Sequence, residues 1–161
     1  MSLDSSLTIQ GYYRAAAAAG TAGSAVETYG AQFAVATVDG TVAGAADRAW
    51  SHANDAATTT AEVFDLTALV GPEGADRSMP GGVRWLLLAN THATASLVVG
   101  PDVTDGWTAA FPAARTLAPG EVVLIGGPST GMAVDSTHRR LSVAAAAGTC
   151  SYRLAIVGLS A

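Results

Sequence analysis

Leu7, Ile9 and Tyr13 alternate with more polar neighbours in LTIQGYYR, and Phe33, Val35 and Thr37 do so in QFAVATVDG. A period of two predicts strands, and the second run ends on a turn-type Asp39-Gly40 pair. Between them lies AAAAAGTAGSAVETYG, where Ala favours helix but Gly20, Gly23 and Gly30 each weaken it by about 1 kcal/mol relative to Ala. A flexible arm or irregular loop is the expectation there, with a short helix as the lesser alternative. Residues 1–42 are accordingly read as an N-terminal strand and arm region, and residues 43–161 as one β domain.

From residue 45 onward the apolar runs are short and evenly punctuated. In order they are DRAWSHAN, AEVFDLTAL, VRWLLLAN, ASLVVG, WTAAF, EVVLIG, GMAVD, RLSVAAA and YRLAIVG. GPEG, PGG, NTHAT, GPDVTDG, APG, GGPST, DSTH and AGTC separate them, rich in the Gly, Pro, Asn, Asp and Ser that turns require. Strand candidates spaced about 8 to 12 residues apart, with no 3.6-residue apolar period, predict an all-β domain, either a sandwich or a barrel. VRWLLLAN and YRLAIVG are apolar at nearly every position, as central strands covered on both faces would be. Their Arg84 and Arg153 are expected at an edge or against a carboxylate. DRAWSHAN instead alternates Asp47, Ala49, Ser51 and Ala53 with Arg48, Trp50, His52 and Asn54, the pattern of a half-exposed strand with one face free to meet a partner.

Composition narrows the chemistry. The 161 residues fit one domain, and half are apolar while only 6% are aromatic, so Ala and Val supply most of the core. All eight basic residues are Arg, and the formal charge is −5, which argues against a nucleic-acid partner because phosphate binding needs a basic patch. No run approaches the ~20 apolar residues of a membrane span, and MSLDSSLTIQ lacks the charged and apolar regions of a signal peptide, so a soluble protein is expected. The lone Cys150 excludes an intrachain disulfide and is read as a small core hydrophobe.

LAPGEVVLIGGPSTG places a Gly-rich loop after an apolar run, an order that in other proteins cradles phosphate. Lacking the Walker lysine, and followed by the strand-like MAVDST, it is read as a turn between strands, with Pro128 fixing φ and Gly permitting positive φ. His52, His92 and His138 have no metal-ligand spacing. Asp135, Ser136 and His138 carry triad residue types within four positions, a proximity that rarely lets the three face one another, so a self-bonded polar turn is expected. No cofactor, metal site or catalytic residue is assigned, and the chain is read as a non-enzyme. Trp85 is expected in the core. Trp50 and Trp107, with Pro128, Ser129 and Thr130 at a loop tip, are the candidate interface residues, since aromatics are enriched at contacts.

The order of strands and turns from about residue 43 resembles small structural proteins of tailed-bacteriophage virions. The segments that carry the resemblance are GAADRAWSHANDAATTTAEVFDLTAL, VRWLLLANTHATASLVVG, LAPGEVVLIGGPSTGMAV and SYRLAIVGLSA. The resemblance implies an antiparallel β-sandwich, with the jelly roll as one form of it, of the head decoration or cement type, located in the virion and binding the major capsid protein or other virion proteins. It is expected to be a homo-oligomer, with a trimer as the working number. The second expectation is a tail, baseplate or fibre subunit contacting tail proteins or host carbohydrate through Trp50 or Trp107. The outermost alternative is a cupin-like metalloenzyme, which shares the architecture but needs clustered His ligands.

Overall fold

A computed structural model describes residues 5–16 and 26–39 as backbone, and residues 45–71, 74–126 and 131–161 with their side chains. Among these residues every regular element is a strand. They are β1 (Ser5–Ala16), β2 (Val26–Asp39), β3 (Ala45–Ala46), β4 (Arg48–Ala57), β5 (Glu62–Asp65), β6 (Gly82–Asn90), β7 (Leu97–Pro101), β8 (Arg115–Leu117), β9 (Val122–Gly126), β10 (Arg140–Ala145) and β11 (Cys150–Leu159).

The last eight strands pair as one long folded ribbon. β4 pairs with β11, β5 with β10, β6 with β9 and β7 with β8, each pair antiparallel. Two further ladders, β11 with β6 and β10 with β7, roll the ribbon into sheets of order β4-β11-β6-β9 and β5-β10-β7-β8. Outermost with outermost and innermost with innermost, rolled into two four-stranded sheets, is the connectivity of a jelly roll. β1 and β2 form an antiparallel hairpin, joined to β3 by a short parallel ladder.

The apolar pattern explains the placement. β11 and β6, the two strands with apolar residues on both parities, are the central strands of their sheet. Leu86 and Leu88 of β6, Leu154 and Ile156 of β11, Leu97 and Val99 of β7, and Leu141 and Val143 of β10 join one buried cluster. Fully burying side chains of this size contributes roughly 1.5–3 kcal/mol each. Connections contribute as well: Leu66, Leu69, Trp107 and Phe111 belong to the same cluster. Turn chemistry holds at Ala118-Pro119-Gly120-Glu121, where Gly120 has φ 74° and the Glu121 amide donates to the Ala118 carbonyl at 3.0 Å, as a turn with Pro second and Gly third requires.

Several expected strands are corrected. WTAAF is not a strand, because Asp105 turns the chain at φ 55° and the Trp107 amide is tied to the Arg140 carbonyl at 2.8 Å. GMAVD contributes only one bridge, Met132 with Val83. In AEVFDLTAL the strand stops at Asp65, whose carboxylate accepts from the Thr67 amide and hydroxyl and bends the chain. β3 and β8 were not foreseen, and Ala15, Ala16 and Val26–Gly30 are strand where an arm, loop or short helix was expected. The remainder of that arm lies outside the described residues.

Candidate functional site

Two features of the β4-β11-β6-β9 sheet are candidates: the seam where it meets the other sheet, and its outer face. At the seam, alternation along β4 sends Trp50, His52 and Asn54 toward β5. Glu62 of β5 receives them: its Oε2 lies 3.0 Å from His52 Nε2 and accepts the Tyr152 hydroxyl at 2.7 Å, while Asn54 Nδ2 donates to Oε1. The Trp50 and His52 rings stack 5.8 Å apart and nearly parallel, with the Phe64 ring tilted against both. Trp50 Nε1 donates to the Val70 carbonyl at 3.1 Å.

This cluster joins three strands from two sheets through one carboxylate. Burial, then the hydrogen bond to Glu62 and its charge, push the Tyr152 phenol far above its ordinary range, so it stays a neutral donor at physiological pH. Both Glu62 oxygens are occupied by donors from its own fold. The arrangement is a clamp between sheets.

Several other polar groups are likewise engaged within the fold. Asp135 Oδ1 accepts from the Thr137 and His138 amides at 2.7 and 2.8 Å, and with the Thr137 hydroxyl these bonds hold its carboxyl down to about 2. The Asp135-Ser136-His138 stretch is therefore a self-bonded turn. Asn90 is buried at the end of β6, its Nδ2 within 3.2 Å of the Ala95, Leu117 and Ala118 carbonyls and its Oδ1 accepting from the His92 amide and the Cys150 thiol. Cys150 is in the core, and burial pushes its thiol up. Arg153 pairs with Asp55 at 2.7 Å as expected of it. Arg84 does not emerge at an edge: it is buried, with Nε donating to the Ala45 carbonyl at 2.9 Å.

The outer face is built by the register. A bulge at Arg84, skipped between the pairs Val83↔Gly158 and Trp85↔Val157, sets the parity of the rest of β6. Three rows then cross the sheet in the order β4, β11, β6, β9. They are Ala49, Val157, Trp85 and Gly126; Ser51, Ala155, Leu87 and Leu124; and Ala53, Arg153, Ala89 and Val122. Only Ser51 and Arg153 are polar. Val122 is 53% exposed, Ser51 and Ala53 are exposed, and Ser51, Ala53, Leu87, Arg153 and Ala155 line a hollow of about 330 Å³.

The candidate interface residues divide. Trp50 is half-buried at the seam, packed against the core. Trp107 is corrected: it is wholly buried and its Nε1 donates to the Ala133 carbonyl at 2.8 Å, so it offers no surface to a partner or a sugar. Pro128, Ser129 and Thr130 lie outside the described residues. Trp85 is buried as expected, although its row belongs to the outer face. Sequence reasoning missed Glu62 and Tyr152, which nothing local links to His52. The double-parity apolar runs of VRWLLLAN and YRLAIVG, read as covered on both faces, supply the apolar rows of the outer face. No family model, no curated protein and no solved structure matches the chain.

Proposed function

We propose that the protein is a structural component of a bacteriophage virion, most specifically a decoration protein that binds and bridges subunits of the major capsid protein. Jelly rolls serve in capsid and lectin domains and in cupins, so the fold alone does not choose among them. The observation that carries the reading is the outer face of the β4-β11-β6-β9 sheet, apolar across three rows and partly exposed, because such a patch on a folded surface marks a contact site. The cluster of His52, Glu62 and Tyr152 is engaged in clamping the two sheets together. Among the described residues no three His, Cys, Asp or Glu side chains are grouped to hold a metal. Reinforcement follows from many modest contacts made at once, since linked sites gain affinity without any one being strong.

Counting copies in washed particles by quantitative mass spectrometry tests the proposal. Hundreds per particle are expected of a decoration protein. A handful would move the protein to the tail or a unique vertex, and absence from the particle would overturn the virion role altogether.

A further inference from the structure

β1 and β2 are in register from Ser5 opposite Thr37 to Ala16 opposite Val26. Alternation sorts these pairs onto two faces. One holds Ser5 with Thr37, Leu7 with Val35, Ile9 with Phe33, Gly11 with Ala31, Tyr13 with Tyr29 and Ala15 with Glu27; the other, more mixed, holds Ser6 with Ala36, Thr8 with Ala34, Gln10 with Gln32, Tyr12 with Gly30, Arg14 with Thr28 and Ala16 with Val26. A two-stranded hairpin in water is marginally stable at best, so a ladder of this length with one apolar face requires a surface to lie on.

The register also gives the hairpin its direction. The ladder that joins it to the sandwich pairs Val38 with Ala45 and Asp39 with Ala46, the last two residues of β2. β3 leads straight into β4, since the Asp47 amide extends the β11 ladder by donating to the Gly158 carbonyl at 3.1 Å. Because β2 and β3 are parallel, the body of β2 lies upstream of β3, away from the course of β4. The hairpin leaves the sandwich at the end where β4 begins. Twelve paired residues at about 3.4 Å each reach ~40 Å, enough to run the length of the ten-residue β11.

We infer that the β1–β2 hairpin of one copy lies across the outer face of the β4-β11-β6-β9 sheet of a second copy, joining the chains by exchanged arms. Arm and face are complementary in two ways. Three rows of the sheet face are apolar apart from Ser51 and Arg153, the latter already paired with Asp55 at 2.7 Å, whereas the outer face of the other sheet carries Asp65 and Arg140. The register places large residue types, Leu7, Ile9, Tyr13, Tyr29 and Phe33, on one face of the arm, where the sheet offers Ala49, Ala53, Ala155 and a hollow over Leu87. This contact forms between copies of the purified chain and does not rest on the capsid reading.

Light scattering on the full chain across a range of concentrations tests it. An oligomer is expected, and Phe33→Glu in the arm or Leu87→Glu in the sheet face is each expected to weaken association at least tenfold while the melt of the sandwich remains cooperative. Should Leu87→Glu unfold, Ser51→Arg, at an exposed position in the same row, blocks the same face. Mixing the arm variant with the face variant is expected to restore association, because each supplies what the other lacks. A wild-type chain that stays monomeric at high concentration, an oligomer that neither variant weakens, or a mixture that stays monomeric would overturn the inference. A monomer that still decorates particles would sink this inference alone, and an oligomer absent from particles would sink only the capsid reading.

Discussion

The two sheets share one core and turn unlike faces outward. Across β4, β11, β6 and β9 the outward rows are apolar apart from Ser51 and Arg153. Across β5, β10, β7 and β8 they read Asp65 and Arg140; Val63, Ser142 and Gly100; then Ala144, Val98 and Thr116. There the Asp65 carboxylate sits 3.7 Å from Arg140 and 3.5 Å from Arg139. A sandwich needs only its inner faces apolar, so one mixed face is what folding requires. Trp85 of the second face is buried within the chain itself, but the exposed apolar remainder of that face is more than folding requires, and assembly is the use that the proposed function gives it.

The largest effect should come from Trp85, whose row belongs to the apolar outer face although the side chain is only 6% exposed. Trp85→Ala is expected to cost about 3 kcal/mol in urea unfolding, against less than ~1 kcal/mol for Val98→Ala on the opposite outer face. Equal losses would break the contrast, since they would mean that the two outer faces contribute alike to the fold. Gly158→Ala comes next. A Cβ at Gly158 would meet the Gly82 carbonyl oxygen at 2.5 Å and Met79 Sδ at 2.8 Å, beside the bulge that sets the parity of β6. Overpacking of this kind costs about 1–3 kcal/mol. A neutral result would show that the bulge tolerates displacement and that the rows of the face are less firmly fixed than the register implies.

The seam between the sheets offers a smaller test. Tyr152→Phe removes the hydroxyl that donates to Glu62 and leaves the buried ring in place. A loss of about 1.5 kcal/mol is expected in chemical denaturation, the lower end of what one hydrogen bond to a charged acceptor contributes. Loss of a few tenths or none would assign the work of the clamp to His52 and Asn54.

What could be read from the sequence follows from how local each signal is. β6 and β11 were legible because covered strands carry apolar residues on both parities, and the Pro119-Gly120 turn because its chemistry is confined to four residues. WTAAF misled because an apolar run after a turn reads the same whether its backbone joins a ladder or is pinned as a loop by Asp105 and the Arg140 carbonyl. β8 has three residues, too few for a period to register. The clamp was illegible for another reason. Glu62 meets His52, Asn54 and Tyr152 only because β5 and β4 lie at the same edge of the roll, and nothing in the spacing of those residues along the chain encodes that meeting. The wrapping of β4 against β11 is equally non-local, so the pattern left sandwich and barrel open and the ladders named the jelly roll.

Acid should separate the two faces with the smallest effect of the set. Burial pushes the Asp65 carboxyl up, but the Thr67 hydroxyl and amide, with Arg139 and Arg140, outweigh it and hold the carboxyl below its ordinary 3.8. A carboxylate with a depressed folded-state pKa contributes stability that is present above the unfolded value and lost as pH falls through the folded one. Asp65→Asn should therefore lower Tm at neutral pH, and its gap from wild type should close as pH drops below about 4, where the unfolded chain takes up the proton first. Leu87→Ser on the apolar face titrates nothing, so any gap it opens should stay constant over the same range. Parallel Tm curves for wild type and Asp65→Asn down to strong acid would show that the ionised carboxylate stabilises nothing on the mixed face, and the contrast between the faces would then rest on exposed apolar area alone.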